Sequence, residues 1–480
     1  MPPVQANSLA YLMLILVVPG SIAAFALLKP TRAVLAILFG GLLFMPEVVN
    51  FDAPLIPPLG KETLPALCAM IGVLFVARDR IRAARPGRGI DVLIIAGLLA
   101  TIPTTFTNTD SAQYGPTFLP GLTSSDLITA IVAAGLGPFS RFFLGRAMFR
   151  TGEDARDLLR AYVIAAAIYW PFMLFEIRMS PQLHIWFFGF FPGEFGQAVR
   201  WGGYRPQVFM AHGLLLAIFI WGSVIAAWTL RNAKAKVFGF AMGPVAIVYT
   251  LMFPLIKSVA AIIYTLVIVP VQWFLRPKAQ IRLAAFLGLI VLAYPIFRAS
   301  GAFPREAIVA FAASATEADR AESLDFRFFH EEALLARAME RPLFGWGGWG
   351  RNRIFDEEGE DLSVTDGEWI IALGVQGIVG FIVTFGLLVF PIFMALKNVD
   401  RVAPADRPVL AGIALLAAVN ALDLLPNSSF GAHLAMLLSG ATAGLAQGLP
   451  TEARSRLDPR LAARWLAALR RAGVVPAVRT

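Results

Sequence analysis

Long apolar runs recur along the chain, and they restrict its fold more than any other feature. Each covers about 17–25 residues, the length a helix needs to cross a bilayer core. They lack the alternation of barrel strands, so they are read as helices. The expected spans are 8–28, 32–49, 63–77, 91–107, 124–145, 158–177, 208–230, 237–255, 257–275, 283–298, 368–395, 408–424 and 429–446. Composition agrees: 58% of residues are hydrophobic and 15% charged, against about 25% charged in soluble domains. The expected fold class is an all-α polytopic membrane protein of about 12–13 transmembrane helices, with one large, partly helical loop. Single Cys68 excludes an internal disulfide and a thiolate metal cluster.

The net charge of +9 is distributed unevenly. Most of the 41 basic residues fall in alternate loops. These carry Lys29 and Arg32; Arg78, Arg80, Arg82, Arg85 and Arg88; Arg141, Arg146, Arg150, Arg156 and Arg160; Arg231, Lys234 and Lys236; Arg276, Lys278 and Arg282; and Lys397, Arg401 and Arg407. Basic loops remain cytoplasmic. The N-terminus and the polar segment 299–367 are then extracytoplasmic, and the tail 448–480 is cytoplasmic. In that tail Leu457, Leu461, Trp465 and Leu469 share a face opposite arginines, which suits a helix on the anionic inner leaflet. No basic stretch is interleaved with stacking aromatics on a soluble module, so nucleic acid is not an expected partner. Membrane lipid is.

The chain thus divides into a bundle over 1–298, which includes an outer arginine loop at 178–207, the polar loop 299–367, helices over 368–447, and the tail. A loop this long is functional or disordered. Its periodicity and aromatic content favour function: Leu324, Phe328, Leu335 and Met339 share a helical face, leaving Arg327, Glu331 and Glu332 towards water or a cavity.

Cations outside the bilayer run against the positive-inside bias and need a reason. Arg298, Arg305, Arg320, Arg327, Arg337, Arg341, Arg351 and Arg353 lie among acids and read as surface pairs. Arg200, Arg205 and Lys257 have no acidic neighbour in sequence. Such cations beside the hydrocarbon suit an anionic ligand or, alternatively, lipid headgroups. Arginine matches phosphate oxygens in paired geometry, and Gly202 and Gly203 permit close backbone approach. His212 follows on the same segment and is a candidate for the same cavity.

GWGGWG places Gly345, Gly347 and Gly350 in the G-x-G-x-x-G spacing. No buried strand precedes it, which excludes a dinucleotide fingerprint. Trp346 and Trp349 would stack on sugar rings or anchor at the interface. The acidic run Asp356–Asp361 reads as a solvated loop, with divalent cation binding as the alternative. No histidine pair has metal-ligand spacing, so neither metal nor cofactor is expected. Asp366 and Glu368 stand where the loop re-enters the membrane. There a carboxylate either caps a helix or serves as a general base.

The pieces RWGGYRPQVFMAHG, LIKSVAA and DFRFFHEEALLARAMERPLFGWGGWG, followed by TDGEWIIALGVQGIVGF, resemble the O-antigen polymerase and ligase superfamily across 195–390. The resemblance implies a metal-independent inverting glycosyltransferase of a bacterial inner membrane. Its donor would be an undecaprenyl-diphosphate-linked oligosaccharide, and a chain-length regulator protein is an implied partner. Arg200, Arg205 and Lys257 would hold the diphosphate, with Lys257 standing where relatives commonly carry arginine. Arg327, Trp346, Trp349 and His212 would bind the glycan. Ligases place a histidine near the position of Asp366. Its absence here favours a polymerase in which Asp366, with Glu368, activates the acceptor hydroxyl. Ligation to lipid A core is the alternative within the superfamily. Transport of an anionic lipid or solute is the alternative outside it.

Overall fold

A computed structural model describes residues 6–53, 56–315, 318–428 and 434–448. His433 and the arginine-rich tail lie outside them. The described residues are largely helical, with a few short two-stranded hairpins. Among the described residues, six helices are long and apolar enough to cross a membrane: Ser8–Leu27, Ser124–Met148, Gly152–Met179, Gly213–Asn232, Pro277–Ala299 and Glu368–Arg401. Shorter apolar helices stand at Pro30–Phe44, Leu64–Val76, Asp91–Phe106, Met242–Ile256, Val259–Phe274 and Leu434–Gln447.

Local chemistry sets several of the helix starts. Pro30, Pro65, Pro277 and Pro408 occupy first turns, where the missing N–H would have no helical partner. Thr123 with Asp126, and Thr151 with Asp154, form capping boxes. Gly213–Asn232 lies at the centre of the bundle, 94% buried, whereas Ser8–Leu27 is 17% buried and turns its apolar side chains outward. Leu434–Gln447 lies against Ser140–Met148 through glycines. A side chain at Gly440 would strike the Phe142 carbonyl, and one at Gly444 the carbonyls of Arg146 and Phe149. This is the small-xxx-small contact that lets membrane helices approach closely.

The arginines of the alternate loops are also structural. Arg32 and Arg160 both reach Asp157 at 2.8 Å, Arg80 reaches Asp154 at 2.8 Å, and Arg146 is buried against Asp91. Arg141 departs from its expected place in a loop. It is buried within the helices, and its guanidinium donates to the main-chain carbonyl of Glu62.

Two long helices are interrupted. In the first, Gly137 leaves helical geometry beside Pro138, whose ring cannot continue the hydrogen-bond ladder. The second breaks at Gly377, where φ is +68° and ψ −168°. The loop from Pro342 to Gly347 fills this second break. Trp346 and Gly347 donate to the carbonyls of Gly374 and Val375 at 2.8 and 2.9 Å, while Ile378 and Val379 donate to those of Pro342 and Leu343 at 2.7 and 3.2 Å. These bonds satisfy backbone groups that the break strands at membrane depth. Gly345 and Gly377 meet backbone to backbone, leaving no room for a side chain on either.

The polar segment forms two helices, Arg305–Ala315 and Ala318–Met339, followed by irregular chain. The second presents Phe328, Glu331, Leu334, Leu335 and Ala338 to the bundle. Two expectations for this helix are corrected. Met339 is 40% exposed, and Glu331 is buried instead of facing water. Glu331 falls on the same stripe as Phe328 and Leu335, and the bundle supplies its partners: Tyr294 donates at 2.9 Å, Trp369 at 3.3 Å, and Arg298 stands at 3.3 Å. Burial pushes its carboxyl up, opposed by those contacts.

Candidate functional site

Chain from five separate segments meets in a cavity of about 460 Å³, lined among others by Glu47, Glu62, Gln197, Arg200, Arg205, His212, Arg327, Asp366, Asn427 and Ser428. All but Arg327 come from loops or helix ends at one end of the bundle. Arg327 comes from the helix that lies over it.

The arginine wall begins with buried, non-helical chain. The expected span at 208–230 starts later, because its helix begins at Gly213 and the preceding residues Pro206–Met210 are buried without helical bonds. Such backbone needs other partners. Glu176, fully buried, supplies most of them. Its Oε2 accepts from the Gln207 and Val208 amides at 2.8 and 2.7 Å, and its Oε1 accepts from Leu183 at 3.1 Å. Tyr169 accepts from the Phe209 amide at 3.3 Å, and Lys61 donates to the Phe209 carbonyl at 2.5 Å. Arg205 is thereby fixed at the cavity edge, 8% exposed.

Arg205 donates through Nε and Nη2 to the Lys257 carbonyl at 3.3 and 3.2 Å. Lys257 in turn donates from Nζ to the Arg200 carbonyl at 3.0 Å. A side chain on Gly203 would meet that Nζ, so the lysine would have to shift. Lys257 therefore stands behind the two arginines and braces their loop; it does not line the cavity. Among the described residues neither arginine has a carboxylate within ion-pair distance. Burial, with Arg200 alongside, pulls the Arg205 guanidinium down to about 10. At neutral pH it remains a partly dehydrated cation.

His212 caps its helix, with Nδ1 accepting from the Leu214 amide at 3.0 Å. Nε2 then carries the proton and donates to Gln197 at 2.9 Å. Burial and the flanking Arg205, Arg200 and Arg327 pull its pKa down to about 4, so it is neutral at pH 7. His184 is similarly held. Its Nε2 accepts from the Glu47 amide at 3.3 Å, leaving Nδ1–H for the Phe190 carbonyl at 2.8 Å.

The cavity carboxylates differ in their engagements. Asp366 pairs with Arg327 at 3.1 Å. Glu47 is buried against Lys61 at 2.7 Å. Glu62 has no cation within ion-pair distance among the described residues. Its side chain is open to the cavity, and burial of the site pushes its carboxyl above the ordinary range, against the pull of Arg141. Glu368 sits half-buried behind Asp366; its amide donates to the Leu424 and Asn427 carbonyls at 3.0 and 3.2 Å.

Neither tryptophan belongs to this cavity. Trp346 is 8% exposed and donates to the Arg337 carbonyl at 2.8 Å, with the Arg337 and Arg341 guanidinium carbons 3.5 and 4.3 Å from its ring centre. Trp349 donates to Asp126 at 3.0 Å and lines a second, more apolar cavity of about 320 Å³ beside Gln376, adjoining both helix breaks. The acidic run closes as a turn, Asp356 accepting from the Glu360 amide at 2.7 Å, with Arg353 paired to Asp361. Among the described residues no three His, Cys, Asp or Glu side chains are placed to hold a metal.

The sequence reading thus named Arg200, Arg205, His212, Arg327 and Asp366, which share one cavity. It missed Glu47, Glu62, Gln197, Asn427 and Ser428. The charged residues Glu47, Asp52, Lys61 and Glu62, between the helices Pro30–Phe44 and Leu64–Val76, were the available signal, since acids are sparse in that part of the chain.

The fold defines a helical, membrane-embedded protein, and the cavity brings three arginines and three carboxylates together. No family model matches the sequence, and no curated protein matches it.

Proposed function

We propose that the chain is an inner-membrane glycosyltransferase that polymerises undecaprenyl-diphosphate-linked oligosaccharide repeats on the periplasmic face. The observation that carries this reading is the cavity that unpaired Arg200 and Arg205 share with the carboxylates of Glu47, Glu62 and Asp366. Two cations held near 4 Å from phosphate oxygens are each worth roughly 4 kcal/mol at an effective dielectric of about 20. Aimed at the leaving diphosphate, they stabilise charge that grows in the transition state. Arg327, paired with Asp366, positions the glycan from above, and neutral His212 adds an uncharged polar edge. An acceptor hydroxyl gives its proton to a cavity carboxylate as its oxygen attacks the anomeric carbon.

Arg205→Ala tests the reading. Cells carrying it lose polymer while protein level and lipid-linked repeat are maintained; normal chain length overturns the assignment. Polymer attached to lipid A core by the purified protein assigns ligation instead. A carrier reading draws on the two interrupted helices around the second cavity, since broken helices line many transport sites. Proteoliposomes separate the two: glycan lengthening without a gradient supports the enzyme, and gradient-coupled flux supports the carrier.

A further inference from the structure

We infer that Glu62, and not Asp366, is the proton acceptor for the attacking hydroxyl. The inference rests on the glycosyl-transfer reading and assigns the one role it leaves open.

A general base must reach the cavity and keep its basicity, which an ion-pair partner lowers. Glu47, Glu62 and Asp366 all line the cavity that contains Arg200 and Arg205. Asp366 gives an oxygen to Arg327 at 3.1 Å. Glu47 gives one to Lys61 at 2.7 Å, inside a pair almost fully shielded from solvent. Glu62 alone of the three has no ion-pair partner among the described residues. Its main chain is nevertheless fixed, because Arg141 binds the Glu62 carbonyl from within the helices. The backbone is clamped and the carboxylate is left open to the cavity.

The groups facing Glu62 set its proton affinity. Glu47 repels its charge, while Lys61 and Arg141 attract it. Glu368 stands within reach of its field. Arg200, Arg205 and Arg327 are the cations that line the same cavity, and His212 is neutral. Enclosure by protein outweighs the attractive charges and raises the Glu62 carboxyl. A raised carboxylate is a stronger base.

The step balances. The hydroxyl proton moves to a Glu62 oxygen while the hydroxyl oxygen forms the new bond to the anomeric carbon. The bond from that carbon to the diphosphate oxygen breaks, and its electron pair leaves with the diphosphate onto Arg200 and Arg205. Glu62 then releases its proton to water.

The full-length protein in liposomes, supplied with lipid-linked repeat extracted from cells lacking this chain, provides the test. Initial rates are measured from pH 4.5 to 8, and binding of geranylgeranyl diphosphate is measured alongside. Glu62→Gln lowers the rate at least about 100-fold, the low end for a lost general base, and removes the acid limb. Its diphosphate affinity stays within about twofold of the parent. Glu62→Asp retains part of the rate with a displaced acid limb, which decides the matter should the amide variant fold poorly. Asp366→Asn keeps the acid limb. A Glu62→Gln rate within about threefold of the parent, or an acid limb that follows Asp366 instead, overturns the inference. Should Arg205→Ala bind geranylgeranyl diphosphate as tightly as the parent, the function reading itself fails, whatever Glu62 does.

Discussion

At the scale of single residues, Glu176 illustrates how an acid buried in a helix can serve a distant cation. It touches none of the cavity, yet its two oxygens take three main-chain amides from segments that carry Arg205 and its surroundings. Removing such an acceptor strands buried donors at about 1–3 kcal/mol each. Glu176→Gln, which aims an amide at those donors, therefore lowers the melting temperature in detergent and weakens geranylgeranyl diphosphate binding together. Loss of neither contradicts this role. The unpaired cations Arg200 and Arg205 were legible in the sequence, because a positive charge outside the membrane without an acid beside it is conspicuous. Glu62 was not legible. What distinguishes it is the absence of a partner in space, and Lys61, its sequence neighbour, is committed to Glu47 instead. Lys257 misled for the opposite reason: its ammonium is occupied, by the Arg200 main-chain carbonyl and not by an acid.

At the scale of elements, the interrupted helix gives the GWGGWG stretch its meaning. The segment reads in sequence as a sugar platform because tryptophans on glycines are exposed by default. Here Trp346 is instead fixed between arginines while Gly345 lies on Gly377. Apolar periodicity alone cannot reveal a break at Gly377, since the flanking residues, Gln376 apart, are apolar on both sides. Gly377→Ala puts a side chain on a left-handed φ and into the Leu343 carbonyl. The left-handed conformation alone costs about 1–2 kcal/mol. We expect a lower melting temperature and faster proteolysis near 340–350, read by limited digestion of the purified protein. Parent-like behaviour in both assays contradicts the tight packing of this junction. The helix over Ala318–Met339 was legible as amphipathic, but its buried Glu331 was not, because the Arg298 and Tyr294 that accommodate it come from another helix.

At the scale of the whole molecule, the helical segments stand where apolar runs were read, and the cavity forms at the end opposite the ion pairs of Arg80, Arg146 and Arg160. This arrangement predicts sidedness. In a Cys68→Ala background, Ser363→Cys reacts with a membrane-impermeant maleimide on intact spheroplasts, whereas Lys397→Cys reacts only after permeabilisation. The reverse pattern inverts the protein and removes the proposed periplasmic site. The four main-chain bonds across the Gly377 interruption have a mechanical consequence. They pin the trailing edge of the cap to the bilayer-embedded bundle, so the cap cannot lift away as a unit.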